Sequence, residues 1–181
     1  KEMLEEGRLG KILSFRAMYL HSGSVDPCRP IGWKQNSDLA GGVIYDLGSH
    51  VLDLLFYLLG EYRDITCKTQ IIYPTRPDKQ GNMVEIHAED AAYLLVSMKN
   101  GAAGTCELTK VATGINDELR MEIHGDKGTL HFNIADPEWL WFYDNTLPDC
   151  TLGGTKGFTK IECVGRYPSP AGVFPGPKYS I

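Results

Sequence analysis

The segment from residue 41 to residue 59 constrains the fold of this chain more than any other part of the sequence. It reads Gly-Gly-Val-Ile-Tyr-Asp-Leu-Gly-Ser-His-Val-Leu-Asp-Leu-Leu-Phe-Tyr-Leu-Leu and is followed by Gly60, a residue type that often terminates helices. On an α-helix, at roughly 100° per residue, four of its polar positions fall within a stripe about 60° wide. These positions are Asp46, His50, Asp53 and Tyr57. The remaining circumference is almost entirely apolar, which is typical of a buried helix.

Two interpretations of this polar stripe are possible. Any amphipathic surface helix places polar residues at such spacings, so the stripe is also consistent with a solvated face. We favour a functional site because the stripe is narrow, and because buried carboxylates need partners or a wet cleft. The preceding pair Gly41-Gly42 permits either close approach of the backbone to a ligand or a tight helix entry.

Size and charge exclude several classes of protein. A chain of 181 residues with 43% hydrophobic content can bury one complete core, so a single domain over residues 1–181 is expected. The net charge of −5 and the scattered lysines and arginines argue against nucleic acid as a partner. The longest apolar run, residues 51–59, is shorter than the roughly 20 residues of a membrane span, so no membrane partner is predicted. Five widely spaced cysteines indicate reduced thiols and a cytoplasmic location.

The rest of the sequence predicts an α+β fold. Alternating or β-branched runs predict strands at residues 11–21, 65–73, 90–98, 102–110, 118–124, 129–133 and 139–143, with a weaker candidate at 158–164. Asn100-Gly101 and the Gly-Asp-Lys-Gly sequence at 125–128 are typical of hairpin turns. We therefore expect an open, mostly antiparallel multi-stranded sheet with helices on one face. The uncovered face predicts a homo-oligomer.

The two ends of the sequence indicate a piece of a longer polypeptide. Residues 1–8 look like the end of a helix, and residues 165–181 form a tail rich in proline and glycine that cannot form a regular element. No Gly-x-Gly-x-x-Gly turn lies between a strand and a helix, and no His-Glu-x-x-His sequence occurs. Neither a dinucleotide-binding fingerprint nor a metal site is therefore predicted in this chain.

Several segments together resemble the carboxy-terminal domain of the Gfo/Idh/MocA oxidoreductases. The specific one is Asp-x-x-x-His-x-x-Asp after Gly41-Gly42. Supporting segments are Glu-Gly-Arg-Leu-Gly-Lys-Ile at 6–12, Asp-Pro-Cys-Arg-Pro-Ile-Gly-Trp-Lys at 26–34, Leu-Gly at 59–60 and Glu-Ile-His-Gly-Asp-Lys-Gly-Thr-Leu at 122–130. The resemblance covers residues 1 to about 133 and becomes faint after that. It implies a two-layer fold like the corresponding domain of glyceraldehyde-3-phosphate dehydrogenase.

The resemblance also implies a function. In that family an amino-terminal Rossmann domain, which is not part of this sequence, binds NAD or NADP and supplies a lysine near the nicotinamide. This chain would then be the substrate-binding and oligomerisation half of a dehydrogenase for a sugar, polyol or inositol-like substrate, and inactive by itself. By the same resemblance, Tyr19, His21 and Lys34 would point into the substrate pocket.

The chemistry of a hydride transfer independently assigns roles to the helical stripe. Oxidation of a carbinol requires removal of the hydroxyl proton, and an imidazole titrates where such a base is useful. His50 is therefore the predicted base. Asp46 would bind the same hydroxyl or orient the imidazole, and Asp53 would support the histidine or contact the substrate.

Two other classes of function remain open from the sequence. One is an interaction module that only self-associates through its sheet. The other is a metal-assisted lyase with Asp46 and His50 as ligands.

Overall fold

The computed structural model describes residues 1–149 and 156–163. Ten strands are present: β1 (Ile12–His21), β2 (Tyr62–Gln70), β3 (Thr75–Pro77), β4 (Met83–Glu85), β5 (Ala91–Met98), β6 (Ala103–Thr109), β7 (Asp117–Gly125), β8 (Gly128–Asn133), β9 (Trp139–Asp144) and β10 (Phe158–Glu162). The helices are α1 (Glu2–Glu5) and α2 (Ser49–Leu59). Short 3₁₀ turns at Trp33–Gln35 and Ser37–Leu39 and a π-helical turn at Ile44–Gly48 complete the list.

Eight strands form one open sheet in the order β10-β9-β8-β7-β1-β6-β5-β2. All neighbours pair antiparallel except β1 and β6, which are parallel. The predicted α+β fold, with an open and mostly antiparallel sheet, is thus confirmed. The sequence did not predict the two-stranded hairpin of β3 and β4, because its strands have three residues each and Pro77 interrupts any alternating pattern. The predicted tail at 165–181 lies outside the described residues.

The turns that connect the strands follow the predicted chemistry. Between β5 and β6, Gly101 has a φ of 92°, which glycine adopts at little cost. The side chain of Asn100 accepts a hydrogen bond from the N–H of Ala102 (2.9 Å) and donates one to the carbonyl of Leu59 (3.0 Å). This hairpin therefore also fixes the end of α2.

The long helical segment packs on one face of the sheet through a line of apolar residues four positions apart. These are Val43, Leu47, Val51, Leu55 and Leu59, all buried. They belong to the same core cluster as the inward-facing side chains of β1, β5, β6 and β7.

The expectation of a helix that is buried nearly all round is wrong. The side chains of Tyr45, Phe56 and Tyr57 are 68%, 51% and 58% exposed. The sheet covers only one stripe of the helix, and none of the described residues forms a layer over its other side.

The membrane argument from run length also needs correction. The segment Ser37–Leu59 has 23 residues, and an 18-residue window within it has a mean hydropathy of 1.3, so it is long and apolar enough for a membrane span by these two criteria. The core helix of a globular domain can pass the same test. Here the apolar line of the segment packs on the sheet, which accounts for its composition.

Candidate active site

A cavity of about 300 Å³ opens at the end of the sheet where β1 and β6 finish. Its lining combines the end of β1, the loop at 23–35, the π-helical turn and the residue that follows β6. The lining residues are His21, Gly23, Ser24, Arg29, Pro30, Gly32, Trp33, Lys34, Gln35, Asp46, Leu47 and Lys110. Three of the predicted site residues, His21, Lys34 and Asp46, are therefore brought together in one cavity.

A close contact between helix and sheet places Asp46 beside the end of β6. A Cβ added to Gly48 would lie 2.8 Å from Cδ1 of Leu108, so a glycine at this position lets the π-helical turn approach the strand. Lys110 is two residues beyond Leu108, and its Nζ lies 3.2 Å from Oδ2 of Asp46. The ion pair thus follows from the packing of the turn on β6.

The glycine pair before the helix brings Lys34 to the same carboxylate. A Cβ on Gly41 would lie 2.5 Å from the carbonyl oxygens of Trp33 and Asn36, so only glycine admits the turn at this distance. The N–H of Gly42 donates to the carbonyl of Lys34 (3.0 Å). The Nζ of Lys34 then reaches Oδ2 of Asp46 at 2.9 Å. Of the two uses foreseen for this pair, the tight entry is the one observed.

Glu89 holds the start of the helical segment. Its Oε1 accepts a hydrogen bond from the N–H of Ile44 (2.8 Å), and its backbone carbonyl accepts one from the N–H of Val43 (3.0 Å). Gly42 has a φ of 106°, and a Cβ there would lie 2.5 Å from Oε2 of Glu89. The helix N-terminus is therefore capped by a carboxylate of the chain itself.

The two ammonium groups determine the charge state of Asp46. Burial alone would raise its pKa, but the contacts with Lys34 and Lys110 outweigh burial and lower the pKa below the usual 3.8. For Lys110 burial is the largest influence, and it lowers the pKa although Asp46 opposes the change. Asp46 is accordingly a carboxylate at neutral pH and accepts hydrogen bonds without donating any.

His50 lies outside the residues that line this cavity. Its side chain is exposed, and its ring centroid is 6.1 Å from that of Tyr19. Burial, followed by the negative charges of Asp117 and Asp46, raises the pKa of Tyr19 to about 12. The tyrosine hydroxyl is therefore protonated at neutral pH and can donate a hydrogen bond.

The π-helical turn changes the geometry that was expected for the polar stripe. Regular α-helix begins only at Ser49, so Asp46 and His50 are not related by a simple α-helical turn. Turns of this kind occur frequently at functional sites. Asp53 is exposed on the α-helical part, three residues after His50 on the same helix, and like His50 it does not line the cavity.

Sequence reasoning missed Lys110, which is only 4% exposed. The signal was a lysine directly after a buried strand, where the chain would normally turn into solvent. Arg29 and Glu89 were missed as well, because only long-range folding brings them to the cavity and to the helix start.

A buried arginine, Arg76, supports the loop at 23–35, which lines the cavity. Arg76 is 1% exposed, and its guanidinium donates to the carbonyls of Ser24 (2.5 Å) and Asp26 (2.7 Å). It also lies 3.9 Å from Oδ1 of Asp90 and over the ring of Tyr73. The hairpin of β3 and β4 thus anchors the loop that supplies about two thirds of the residues lining the cavity.

Within residues 1–149 and 156–163, no group of three or more His, Cys, Asp or Glu side chains lies where it could hold a metal ion.

Comparison with known proteins assigns this geometry to a family. Residues 1–131 match the model of the GFO/IDH/MocA C-terminal domain. The chain is 33% identical over 195 residues to levoglucosan dehydrogenase of Pseudarthrobacter phenanthrenivorans, covering 100% of this chain and 49% of that protein. It is 28% identical over 139 residues to D-apiose dehydrogenase of Rhizobium rhizogenes, covering 74% and 35%.

Solved structures show the same likeness. A levoglucosan dehydrogenase in complex with NADH and levoglucosan superposes with a TM-score of 0.86 at 30% identity, covering 100% of this chain and 47% of that one. This chain spans about half the length of levoglucosan dehydrogenase, and that match covers the whole of this chain.

Proposed function

Because the chain belongs to the Gfo/Idh/MocA family of oxidoreductases, we propose that it is the substrate-binding and catalytic-base half of an NAD- or NADP-dependent dehydrogenase. The substrate would be a sugar, a polyol or an inositol-like compound. The observation that carries this proposal is a carboxylate, Asp46, held ionised by two lysines in a cavity and followed closely on the same helical segment by His50.

In the proposed chemistry, three side chains share the proton transfer and the hydrogen bonds around the reacting hydroxyl: His50, Asp46 and Tyr19. His50 accepts the proton of the substrate hydroxyl as the C–H bond breaks. Asp46, which can only accept, binds the same hydroxyl or a neighbouring one and fixes its orientation. Tyr19 donates a hydrogen bond from its protonated hydroxyl beside His50. His21 presents its remaining ring nitrogen to the cavity, since its Nδ1 accepts from the N–H of Gly23 (2.7 Å).

Lys34 and Asp53 were also predicted to bind the substrate. Lys34 lines the cavity, and we propose that its ammonium exchanges between Asp46 and a substrate oxygen. Asp53 is left without a proposed role in binding because it is exposed away from the cavity lining.

The described residues do not fit a binding site for the cofactor pyrophosphate. The start of the one long helical segment is occupied by the carboxylate of Glu89, which leaves no free N-terminus of the kind that binds phosphate. A nicotinamide cofactor, which accepts hydride when bound, would be held by other parts of the full-length polypeptide. The isolated chain is therefore expected to bind NADH negligibly and to show no turnover, and micromolar binding in a calorimetric titration would contradict this.

The direct test uses the full-length protein. Levoglucosan, D-apiose and myo-inositol are each offered with NAD and with NADP, and formation of the reduced cofactor is followed by absorbance. We expect oxidation of at least one polyhydroxylated compound and a loss of turnover in His50→Ala. Absence of turnover with the whole panel, or an unchanged rate in the variant, would contradict the proposed function.

A second candidate function, an oligomerisation module, has its own supporting observation. The sheet face opposite the helix exposes large apolar side chains, with Tyr93 46%, Leu95 63%, Trp141 40% and Phe158 45% exposed. They form two groups, one on β5 and one on β9 and β10 near the opposite edge of the sheet, and exposed apolar groups of this kind are typical of interfaces. We propose that copies of the protein associate through this face. Sedimentation at high concentration should give at least a dimer, whereas a monomer at every concentration would contradict the proposal.

A further inference from the structure

We propose that Lys110 determines specificity: its ammonium and the carboxylate of Asp46 together bind two neighbouring oxygens of a vicinal diol in the substrate. This inference rests on the proposed function, because it assigns a substrate contact to the same cavity. It goes further by naming the structural element of the substrate that is recognised.

The side chain of Lys110 is buried, but its hydrogen-bond donors are not all used. The side chain of Lys110 is 5% exposed and that of Asp46 12%. Nζ of Lys110 lies 3.2 Å from Oδ2 of Asp46, and no other acceptor among the described residues bonds to it. An ammonium carries three donors, and lysine is almost never buried without a partner. Donors left unmet at a cavity wall are available to a ligand.

The backbone of Lys110 is held in a fixed position. The backbone N–H of Lys110 donates to the carbonyl of Asp90 (2.9 Å), and its own carbonyl accepts from the N–H of Ser24 (2.9 Å). The residue is therefore held on both sides directly after β6. Its ammonium approaches the cavity from a fixed base, as a recognition group must if it is to discriminate between substrates.

The charges around Lys110 nearly balance, and this balance indicates which class of ligand the pair of Lys110 and Asp46 can bind. The charged groups that act on Lys110 are Asp46, Lys34 and Glu89, so two cations face two anions. Arg29 also lines the cavity, but its guanidinium donates to the carbonyl of Gly23 (3.1 Å). The charges that act directly on the pair of Lys110 and Asp46 therefore give little advantage to an anionic group. One donor beside one acceptor instead complements hydroxyls, which both donate and accept. Two oxygens on adjacent carbons have the spacing to contact both charged groups at once.

Lys34 contacts the same carboxylate oxygen but cannot serve this role equally well. Its side chain is 46% exposed and is carried by a short 3₁₀ turn in a loop. Water competes for an ammonium in such a position, and solvent-exposed ion pairs contribute little. The buried lysine is therefore the discriminating one.

The experiment measures discrimination and not only rate. With the full-length protein, kcat/KM is determined for whichever of levoglucosan, D-apiose and myo-inositol is oxidised, and for an analogue that lacks one hydroxyl next to the oxidised carbon. We expect the unmodified protein to prefer the diol by about 100-fold or more, because a site built for a hydroxyl rejects an analogue without it. In Lys110→Met this preference should fall to within about threefold, since the buried donor is gone.

Two further variants keep the result interpretable. Lys110→Gln retains a donor and should keep an intermediate preference, which also covers the case in which Lys110→Met fails to fold. Lys68→Met removes an exposed lysine on β2 and should leave the preference unchanged. A folded Lys110→Met protein that still prefers the diol fully, even with a lower rate on both compounds, would show that Lys110 only neutralises Asp46 and would overturn the proposal.

Binding separates this proposal from the proposed function. Calorimetry with the same compounds and their deoxy analogues gives the preference as a ratio of dissociation constants without any turnover. Preferential binding that depends on Lys110 but occurs without oxidation would contradict the dehydrogenase and support the diol site. Oxidation with no diol preference in the unmodified protein would support the dehydrogenase and contradict the diol site.

Discussion

The two ends of the eight-stranded sheet handle charge in opposite ways. At the end with the hairpin turns, Lys99 and Glu61 pair with both side chains 63% exposed, and Asp126 accepts the N–H of Lys11 (2.8 Å) in solvent. At the end where β1 and β6 finish, Asp46 and Lys110 pair almost out of contact with water. The ion pair at the hairpin end is solvated, whereas the ion pair at the cavity end is buried.

Unmet hydrogen-bonding groups follow the same division. Among the described residues, Oδ1 of Asp117 and Nε of Arg76 are buried without a hydrogen-bond partner, and the buried Nζ of Lys110 contacts only the carboxylate of Asp46. All three atoms belong to residues at the cavity end or to the hairpin that braces the cavity loop. The other end has local turn chemistry that satisfies its own groups. The location of buried polar atoms with unmet hydrogen bonds, more than their number, thus indicates the candidate site.

The largest expected effect belongs to His50. In the full-length protein, His50→Ala should lower kcat about 10²–10⁴-fold through loss of a general base. The thermal unfolding midpoint should hardly change, because the side chain is exposed. His87→Ala, which removes an exposed histidine paired with Glu85, is the matched control and should keep normal turnover. Equal rates in both variants would make His50 a surface residue without a catalytic role.

The next effect contrasts two glycines with positive φ. Gly42 (φ 106°) and Gly101 (φ 92°) both disfavour a side chain, at roughly 1–2 kcal/mol each. Only at Gly42 would the new Cβ also meet a carboxylate, that of Glu89 at 2.5 Å, while at Gly101 it would meet nothing within 4 Å. Gly42→Ala should therefore lower the free energy of unfolding more than Gly101→Ala in denaturant titrations. Equal losses would mean that the helix start tolerates displacement of Glu89.

A third prediction concerns Asp46 and pH. Asp46→Asn leaves Lys34 and Lys110 without their shared counter-charge and should lower the free energy of unfolding by about 1–3 kcal/mol at neutral pH. Because the pKa of Asp46 is lowered in the folded state, its stabilising contribution is present above the unfolded value near 4 and is lost as pH falls through the folded value. The difference between the two proteins should consequently shrink in acid. A difference that stays constant from neutral pH through the whole acid range below the unfolded value would contradict the ionised pair.

The smallest effect is expected at the opposite end. Glu61→Gln breaks the exposed pair with Lys99, and exposed pairs of this kind contribute little to stability. Neither the denaturation midpoint nor turnover should change measurably. A clear loss in this variant would remove the distinction between the two ends.

Sequence reasoning succeeded where neighbouring residues determine the structure. Asn100-Gly101 predicted its hairpin because the two residue types accept the required backbone angles. The alternating runs predicted all eight strands of the sheet, with ends displaced by up to three residues. The family was identified from the specific segment around Asp46 and His50 together with supporting segments elsewhere in residues 1 to about 133.

Sequence reasoning failed where distant segments meet. Lys110 and Glu89 have no local pattern that marks them, since their roles depend on Gly48 packing on Leu108 and on the helix start reaching Glu89. The single α-helix assumed for residues 41–59 also failed, because periodicity alone does not reveal a π-helical turn. The catalytic and binding roles of Tyr19, His21, Lys34, Asp46 and His50 stay predictions.

The π-helical turn at Ile44–Gly48 also acts as a phase correction for the whole helical segment. Residues four apart on an α-helix overshoot one full turn by about 40°, so the buried line from Val43 to Leu59 would wind steadily away from a flat partner. A turn with wider, i to i+5 bonding advances less per residue and sets part of this drift back. The irregularity that carries Asp46 therefore keeps the line over the sheet, and losing it would misalign Asp46 and the core together.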